Sequence, residues 1–252
     1  MNVLILRAPG TNCDTETAYA FQKAEAKSVE ILHINRVLEA PQTLDKFQIL
    51  CIPGGFSFGD DIASGKIFAA KIGNHLFDNF RRFHEKGNLI LGICNGFQVL
   101  LKSGLLTGNP LAGSLNATLT WNKKPLYTDR WVHLFAEKTE CVFLRDIDTM
   151  YLPIAHAEGR FVPKEDELEQ MKQRKQLALR YRADSNPNGS VFDVAGACDP
   201  TGRIFGLMPH PERHIDALQH PHWTRYFTPK QLKDGIPAGS GLKIFQNAVR
   251  FF

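Results

Sequence analysis

The chain has 252 residues, 43% of them hydrophobic and 22% charged, and it carries a formal net charge of +4. These values are ordinary for a globular protein that is long enough to bury a substantial core. Lysine and arginine are scattered along the sequence instead of forming a basic stripe. No apolar run approaches the roughly 18 residues that a transmembrane helix needs. Composition therefore argues against nucleic-acid-binding and membrane-spanning proteins.

The cysteines are spread over the chain and form no CxxC pair. They are Cys13, Cys51, Cys94, Cys141 and Cys198. An odd and dispersed set argues against a disulfide framework and favours a reducing compartment. The amino-terminal sequence MNVLILRAPG has neither the basic region nor the long apolar stretch of a signal peptide. We therefore expect a cytoplasmic protein.

The first hundred residues alternate between apolar strand-like runs and helical segments. We predict strands at Asn2–Arg7, Val29–Ile34, Phe47–Pro53 and Asn88–Ile93, and helices at Asp14–Lys27, Ile62–Lys71, Asn74–Lys86 and Gly96–Lys102. Nearly continuous apolar strands separated by helices are typical of a parallel sheet that is covered on both faces. The sequence thus predicts an α/β fold of three layers, with a mostly parallel open sheet between helices.

From about Leu115 the strand-like runs become shorter and their connections more polar. We predict strands at Trp131–Phe135, Cys141–Leu144, Tyr151–Ala155 and Leu177–Tyr181, a helix at Glu165–Lys175, a hairpin of Val191–Ala197 and Arg203–Met208, and a final helix at Gly241–Phe251. The residues His214–Gly239 form no regular pattern. Since there is no internal repeat and no clear linker, we expect residues 1–252 to form one domain.

The pentapeptide Gly92–Gly96 (GICNG) carries the strongest chemical signal. It follows a predicted strand and precedes a predicted helix, which is the arrangement of a nucleophile elbow with cysteine in place of serine. Glycines two residues before and after Cys94 remove side chains that would collide with the neighbouring strand and helix. The start of a helix also favours a thiolate. We predict that Cys94 is a nucleophile, although a structural cysteine between two glycines fits the motif as well.

A candidate base follows the last predicted strand. Pro209 and Pro211 fix the backbone on either side of His210, and Glu212 lies two residues further along. In an extended turn the side chains of His210 and Glu212 would point the same way, so the carboxylate could orient the imidazole.

A metal site is the competing interpretation of this histidine-rich region. The candidate ligands are His210, His214, His220 and His222, with Glu212 and Asp216 nearby. Their spacing matches no known ligand pattern, so we predict no metal site.

The segment PGGFSFGD at residues 53–60 ends the third predicted strand. Two glycines directly after a strand allow a backbone amide to point at a developing oxyanion. An ordinary glycine turn is the alternative interpretation.

Taken together, these segments resemble the class I, or triad, glutamine amidotransferases, whose fold is flavodoxin-like. More narrowly they resemble the family of glutaminase subunits of phosphoribosylformylglycinamidine synthase. The motifs that carry the resemblance are PGTNCD (9–14), PGGFSFGDD (53–61), GICNGFQVLLKSGLL (92–106), IAHAEGRF (154–161), NPNGSVFDVAGACDPTGRIFGLMPHPER (186–213) and GLKIFQNAV (241–249). They cover nearly the whole chain in order.

The resemblance implies a role for each matched position. Cys94 would attack the glutamine amide to form a thioester, with His210 as base and Glu212 as its orienting group. The remaining substrate-binding or oxyanion residues would be Gly54, Gly55, Phe56, Asn95, Gln98 and His156, the last through its backbone. Ser57 is a weaker candidate on the substrate side. Arg160 and Arg213 would either face a partner protein or be ordinary surface arginines.

The resemblance also implies partners. The chain contains neither a P-loop motif nor a dinucleotide-binding glycine motif after its first strand. We therefore expect no cofactor in this chain, and we expect ATP and magnesium on a large synthetase subunit that receives the ammonia. A small bridging subunit is a further expected partner.

Two other classes share parts of this pattern, and two segments depart from the family. Cysteine hydrolases of the small peptidase or glyoxalase type use the same elbow, and a non-catalytic scaffold subunit could retain the triad as a relic. Residues 120–132 (TWNKKPLYTDRWV) match the family only in part. Residues 214–240, with HPHW and PKQL, are longer than expected and suggest a surface insertion.

Overall fold

The computed structural model describes residues 1–107, 116–228 and 235–252. The strands are β1 Asn2–Arg7, β2 Ser28–His33, β3 Ile49–Ile52, β4 Leu89–Ile93, β5 Ala117–Thr120, β6 Thr128–Ala136, β7 Thr149–His156, β8 Arg160–Pro163, β9 Leu179–Tyr181, β10 Val194–Cys198 and β11 Ile204–Leu207. The α-helices are α1 Asp14–Lys23, α2 Ile34–Glu39, α3 Lys66–His75, α4 Phe77–Glu85, α5 Asn95–Lys102, α6 Glu165–Gln173, α7 Trp223–Tyr226 and α8 Leu242–Val249.

Nine of these strands form one sheet in the order β2-β1-β3-β4-β11-β10-β9-β6-β7, and β5 pairs with β8 in a separate ribbon. The neighbours from β2 to β11 are parallel. The strands from β11 to β7 continue the sheet with antiparallel pairs. The predicted fold class is confirmed, with a parallel half that carries the predicted elbow and an antiparallel extension beside it.

The parallel half is covered on both faces. Every residue of β3 and β4 is buried, and successive side chains of a strand point to opposite faces of a sheet. Helix α5 packs on β3, β4 and β11, and helix α1 packs on β1 and β2. The near-continuous apolar sequences of these strands follow from this double coverage.

The register of the central strands brings three predicted site segments to one edge. Ile52 at the end of β3 is paired with Gly92 of β4, and Ile93 at the end of β4 is paired with Leu207 of β11. Parallel strands end at the same edge of a sheet. The glycine loop (residues 53–60), the cysteine elbow (residues 92–96) and the histidine turn (residues 209–213) therefore lie next to one another at that edge. Ligands of open α/β sheets bind at this carboxyl-terminal edge.

Several predicted elements differ from the structure. The run Cys141–Leu144 was predicted as a strand but forms a single 3₁₀ turn at Val142–Leu144, whose apolar side chains pack against α8. Asn247 of α8 donates hydrogen bonds to the carbonyl oxygens of Phe143 and Arg145. An apolar run of this length satisfies burial in either conformation, so periodicity does not separate the two.

The helix predicted to begin at Ile62 begins at Lys66 instead. The Asp60 carboxylate accepts hydrogen bonds from the Ser64 hydroxyl and the Gly65 amide, and these bonds hold the preceding residues in a turn. The hairpin of β10 and β11 is confirmed, and Asp199 in its turn accepts bonds from the amides of Thr201, Arg203 and Ile204. The predicted change of character at Leu115 lies outside the described residues.

Across the three described ranges, no helix combines the length and hydrophobicity needed to cross a lipid bilayer.

Candidate active site

Cys94 stands at a strained turn between β4 and α5. Its φ of 50° and ψ of −104° lie in a region that residues other than glycine rarely adopt. The glycines around it are needed for close packing: a Cβ on Gly92 would lie 2.7 Å from the backbone of Gly96, and a Cβ on Gly96 would overlap the carbonyl oxygen of Ile52. The predicted elbow geometry is therefore present in the structure.

The backbone of Cys94 joins the sheet to the helix. Its amide donates a 2.7 Å hydrogen bond to the carbonyl oxygen of Leu207, and its own carbonyl accepts bonds from the amides of Phe97 and Gln98. The thiol lies beside a cavity, with Sγ 3.9 Å from the carbonyl oxygen of Ala155. Cys94 thus presents a sulfur at the start of a helix, where the amide dipoles favour negative charge.

His210 and Glu212 form a buried pair. Nδ1 of His210 lies 2.6 Å from Oε1 of Glu212, and the residues are 2% and 1% exposed. An ionised carboxylate only accepts hydrogen bonds, so Nδ1 carries a hydrogen atom and donates a hydrogen bond to Glu212. Nε2 of His210 has no hydrogen-bond partner among the described residues and is free to exchange a proton with a thiol.

The electrostatic surroundings of His210 favour its protonated form. Burial alone would lower its pKa, but the charge of Glu212 and the nearby Cys94 sulfur raise the pKa of His210 well above its ordinary value. A carboxylate and a sulfur that both act on one buried imidazole are the parts of a thiol–imidazole–carboxylate triad.

The backbone that produces this pair differs from the predicted extended turn. Pro211–Arg213 form one 3₁₀ turn after His210, whose amide donates a 2.8 Å hydrogen bond to the carbonyl oxygen of Pro153. The prediction that the side chains of His210 and Glu212 meet is confirmed. Its geometric reason was wrong, because a tight turn rather than an extended one brings them together.

A cavity of about 270 Å³ opens beside the thiol. The residues that line it are Gly55, Phe56, Gly59, Asp60, Ser64, Cys94, Gln98, Trp121, Ala155, His156, Ala157 and Glu158. The cavity therefore brings Cys94 together with four of the predicted substrate residues, namely Gly55, Phe56, Gln98 and His156.

The other two predicted substrate residues, Gly54 and Asn95, do not line the cavity but contact residues of the site. A Cβ on Gly54 would lie 2.8 Å from the His210 ring, so glycine is required there for the imidazole to pack. The Asn95 side chain accepts a hydrogen bond from the Ser57 amide and donates to Asp60 and Gln98. Asn95 thus links the glycine loop to the elbow helix.

Two of the predicted substrate residues, Phe56 and Gln98, form hydrogen bonds to other groups of this chain. The amide of Phe56 donates to the carbonyl oxygen of Gly10 at 3.0 Å and is therefore not directed at an oxyanion. The carboxamide of Gln98 donates to the carbonyl oxygen of Glu158 at 2.6 Å and accepts from Asn95 at 2.9 Å. Gln98 lines the cavity while holding the segment that contains Glu158.

His156 is buried as a neutral imidazole. Its Nδ1 donates a hydrogen bond to the carboxamide oxygen of Asn122 at 3.2 Å. Asn122 also donates to the carbonyl oxygen of His156 and accepts from the amide of Gly159. Burial, and then the charge of His210, lower the pKa of His156 to about 3. Asn122, in the stretch that matched the family only in part, therefore fixes one wall of the site.

Two acidic residues of the cavity had no predicted role. Asp60 accepts hydrogen bonds from Ser64, Gly65 and Asn95, and Oε2 of Glu158 accepts from the Ser64 amide at 3.2 Å. Burial raises the pKa of Asp60. Both residues belong to motifs that carry the family resemblance, but nothing in the spacing indicated that they would converge.

Of the three weaker candidates, the two arginines are engaged within the chain, and Ser57 is not engaged through its hydroxyl. Ser57 is buried, and its hydroxyl has no hydrogen-bond partner in the described part of the chain. Nε of Arg160 donates to the carbonyl oxygen of Gly189 at 3.2 Å. Arg213 donates from Nε to Glu16 at 3.0 Å and from Nη2 to the Cys13 sulfur at 3.2 Å. Both arginines stabilise loops of this chain.

The rings of His214, His220 and His222 pack near one another, but among the described residues they do not offer three ligand atoms to one ion. His214 binds the carbonyl oxygen of Tyr151 and the hydroxyl of Ser240, while His220 packs against the ring of Trp131 at 5.1 Å. Among the described residues, the group of three possible ligand atoms within reach of one ion is instead Cys13, His210 and Glu212. In the long 214–240 segment, HPHW belongs to this aromatic cluster, and PKQL lies outside the described residues.

The comparisons with known proteins agree with this geometry. The sequence model of the CobB/CobQ-like glutamine amidotransferase domain matches residues 1–252. The chain is 42% identical to "Phosphoribosylformylglycinamidine synthase subunit PurQ" of Dehalococcoides mccartyi over 100% of this chain and 97% of that protein. It is 43% identical to the protein of the same name from Methanococcus maripaludis, over 99% and 97%.

Solved structures show the same fold. The chain matches a chain of "Structure of PurLQS from Thermotoga maritima" with a TM-score of 0.75 and 28% identity, covering 99% of this chain and 98% of that one. A glutamine amidotransferase from Thermotoga maritima matches with a TM-score of 0.57 and 15% identity over 99% and 96%, which shows the fold alone. The chain therefore belongs to the CobB/CobQ-like glutamine amidotransferase family and, within it, to the family of phosphoribosylformylglycinamidine synthase PurQ subunits.

Proposed function

We propose that this chain hydrolyses L-glutamine to glutamate and ammonia as the glutaminase subunit of a phosphoribosylformylglycinamidine synthase. The observation that carries the proposal is the placement of Cys94 in a strained elbow beside the buried His210–Glu212 pair. The names of the relatives at 42% and 43% identity support the choice of glutamine as substrate and of this synthase as the complex.

In the first half-reaction, the Cys94 sulfur attacks the side-chain amide carbon of glutamine. Before the attack the thiol proton lies on Nε2 of His210, because Glu212 and the Cys94 sulfur raise the pKa of His210, and Glu212 stabilises this imidazolium through the Nδ1 hydrogen bond. When the carbon–nitrogen bond breaks, Nε2 returns a proton to the leaving nitrogen. Ammonia departs and a γ-glutamyl thioester remains on Cys94.

In the second half-reaction, water attacks the thioester. His210 takes a proton from the water, the carbon–sulfur bond breaks, and the sulfur leaves as a thiolate or takes the proton back. The products are glutamate and the free enzyme. No bound cofactor is needed for either step, since the base and the nucleophile come from this chain.

The oxyanion of each tetrahedral intermediate would be bound by backbone amides. The first amides of a helix have no partner within the helix, so the amide of Asn95 at the start of α5 is available. The second donor would be the amide of Gly55, whose φ of 143° requires glycine. The Phe56 amide is excluded by its bond to Gly10.

The charges of the cavity favour a ligand with an ammonium group. Asp60 and Glu158 are carboxylates in the lining, and His156 is neutral at physiological pH. Among the described residues, those that line the cavity include no lysine or arginine. The α-ammonium group of glutamine would lie toward the acidic wall, which leaves its side-chain amide directed at Cys94.

Ammonia would be delivered to a separate synthetase subunit that docks over the cavity. Four large apolar side chains at or near its mouth are exposed, namely Phe56, Trp121, Leu126 and Tyr127, and the rings of Phe56 and Tyr127 lie 6.5 Å apart. Exposed aromatic residues in one patch are typical of a protein interface. Covering this patch would keep ammonia away from bulk water.

The synthetase subunit would use ATP and magnesium to convert formylglycinamide ribonucleotide to formylglycinamidine ribonucleotide in purine biosynthesis. We place both cofactors on that subunit, because this sequence has no P-loop motif. A small bridging subunit would complete the complex. Free thiols at all five cysteines support a reducing compartment such as the cytoplasm.

The proposal is tested by glutaminase assays of the wild type and of Cys94→Ala, with and without purified synthetase. Glutamate release by the wild type, its loss in Cys94→Ala and its retention in the control Cys141→Ala are expected. Equal activity of the wild type and Cys94→Ala would refute the assignment. Parallel assays with a peptide and with methylglyoxal test the peptidase and glyoxalase alternatives, and turnover of either in place of glutamine would favour that class.

A further inference from the structure

Cys13 is a second buried thiol beside the catalytic histidine. It lies at the start of α1 and is 1% exposed, and its amide donates a hydrogen bond to the carbonyl oxygen of Gly54 at 3.2 Å. A Cβ on Gly54 would lie 3.1 Å from the Cys13 sulfur and 2.8 Å from the His210 ring. Glycine at this position lets the thiol and the imidazole pack over the same backbone.

The three donor atoms of this cluster come from two separate parts of the chain, the start of α1 and the His210–Glu212 turn. The Cys13 sulfur, a ring nitrogen of His210 and a carboxylate oxygen of Glu212 all lie within 4.8 Å of one another. Cys13 reaches the cluster because β1 pairs with β3, which places the loop after β1 beside the glycine loop. The proposed triad chemistry uses His210 and Glu212 and gives Cys13 no role.

The donor set is the one that zinc prefers. Thiolate, imidazole and carboxylate are its usual protein ligands, and bonds of roughly 2.0–2.3 Å in a tetrahedron place ligand atoms about 3.3–3.6 Å apart. The Nδ1–Oε1 pair, now 2.6 Å apart, would open by less than about 1 Å to admit an ion. A second oxygen of Glu212 is buried and has no hydrogen-bond partner among the described residues.

We propose that Cys13, His210 and Glu212 form an inhibitory site for a soft divalent cation of the Zn²⁺ type, with water as the fourth ligand. The ion would bind the Cys13 sulfur, Nδ1 of His210 and one oxygen of Glu212. The Cys94 sulfur is not one of the three ligand atoms of this cluster.

Binding at Nδ1 blocks catalysis through the tautomer of the ring. A neutral imidazole that ligates a cation through Nδ1 carries its remaining proton on Nε2. Nε2 then has no lone pair with which to accept the Cys94 proton, and Glu212 no longer orients the ring. The metal binding itself is independent of the proposed function, and only its inhibitory consequence rests on it.

The Arg213 side chain opposes a cation here, as does burial, which raises the pKa of the Cys13 thiol to about 11. Nη2 of Arg213 donates to the Cys13 sulfur at 3.2 Å, while its Nε donates to Glu16 at 3.0 Å. The cation would replace the first of these bonds and leave the second, so the guanidinium would remain tied to α1. We therefore expect binding that is reversible by a chelator.

The test uses Co²⁺ as a spectroscopic substitute for Zn²⁺ on the full chain carrying Cys94→Ala, which removes the competing catalytic thiol. We expect tetrahedral Co²⁺ absorption with a thiolate charge-transfer band, and loss of both on addition of Zn²⁺ or a chelator. The charge-transfer band should disappear in Cys94→Ala/Cys13→Ala and persist in the matched control Cys94→Ala/Cys141→Ala. Thermal unfolding of each protein verifies that it is folded.

If Cys13→Ala does not fold, Cys94→Ala/Glu212→Gln replaces it, because the carboxamide is a poor ligand and Co²⁺ binding should weaken. The proposal is overturned if Cys94→Ala shows no thiolate band, or if the band survives removal of Cys13. Neither result affects the glutaminase assignment, whose tests depend on Cys94.

Discussion

Nδ1 of His210 lies 2.6 Å from Oε1 of Glu212, in a turn where a single proline separates the two residues. The pair is buried under the carboxyl-terminal edge of the sheet, and its carboxylate is what offsets the effect of burial on the imidazole. The proposed chemistry of the site depends on this hydrogen bond, because it engages Nδ1 of His210 and leaves Nε2 without a hydrogen-bond partner among the described residues.

The Glu212→Gln variant should lose activity and shift its pH profile. Without the carboxylate the ring is no longer held in one tautomer, and a loss on the order of 10²–10⁴ in kcat is expected. Glu212 raises the pKa of His210, so the alkaline limb that reports loss of the imidazolium should move to lower pH in the variant. Steady-state glutaminase kinetics across pH measure both effects.

The matched control for this variant is Glu169→Gln, an exposed carboxylate on α6. It should leave the rate and the pH profile unchanged. An alkaline limb at the same pH in Glu212→Gln and in the wild type would show that Glu212 does not set the protonation of His210.

Gly96→Ala should be strongly destabilising, whereas Gly73→Ala should be mildly stabilising. A Cβ on Gly96 would overlap the carbonyl oxygen of Ile52, so β3 and α5 would have to separate. Gly73 lies within α3 with open space around it, and alanine there favours the helix by about 0.5–1 kcal/mol. Urea unfolding of both variants measures the difference, and equal stability of the two would contradict the elbow packing.

Acid should destabilise the protein through His156. Its pKa of about 3 is below the roughly 6.5 of an unfolded histidine, so the unfolded chain binds the extra proton first. The free energy of unfolding should therefore be fully retained above about pH 6.5 and fall as the pH is lowered toward 3, by on the order of 3–5 kcal/mol from this group. Denaturant unfolding at several pH values measures this slope.

In His156→Gln the slope between pH 6.5 and 3 should be smaller, because glutamine does not titrate. The control is His75→Gln, at an exposed position on α3. If the free energy of unfolding of His156→Gln falls with pH as steeply as that of the wild type, other groups cause the acid sensitivity.

Leu126→Asp should weaken the complex with the synthetase. Leu126 is 66% exposed and precedes Tyr127, whose ring lies 6.5 Å from that of Phe56 in the cavity lining, and burying a carboxylate in an apolar interface is costly. Binding to the synthetase, measured by calorimetry, should weaken by at least about tenfold. Phe135→Asp is the control, since Phe135 is exposed at the other end of β6, where it is paired with Thr149 rather than with the site. Equal binding of both variants to the synthetase would show that the patch is not the docking surface.

Much of the parallel half of the fold could be predicted from the sequence. The first strand was predicted with its observed bounds, Asn2–Arg7, and the fourth to within one residue, because short apolar runs ended by glycine or proline leave few alternatives. The elbow at Cys94 was predictable for a related reason: GxCxG after a strand requires a tight turn, and the turn fixes where the thiol points.

The residues that the sequence did not reveal depend on long-range register. Cys13 reaches His210 only because β1 lies beside β3, and Glu158 reaches Ser64 across 94 residues of sequence. Local periodicity contains no information on either pairing. The strand prediction for Cys141–Leu144 was wrong for a different reason, since a buried apolar turn and a buried strand have the same composition.

The central claim is that Cys94 is the nucleophile that attacks glutamine, and covalent labelling tests it most directly. The full chain, with its synthetase present, is incubated with a diazo-ketone analogue of glutamine and digested, and the modified peptide is identified by mass spectrometry. We predict one label, on the peptide that contains Cys94, with protection by glutamine and no label in Cys94→Ala. A label on Cys13 in place of Cys94, or no label with the synthetase present, would contradict the assignment.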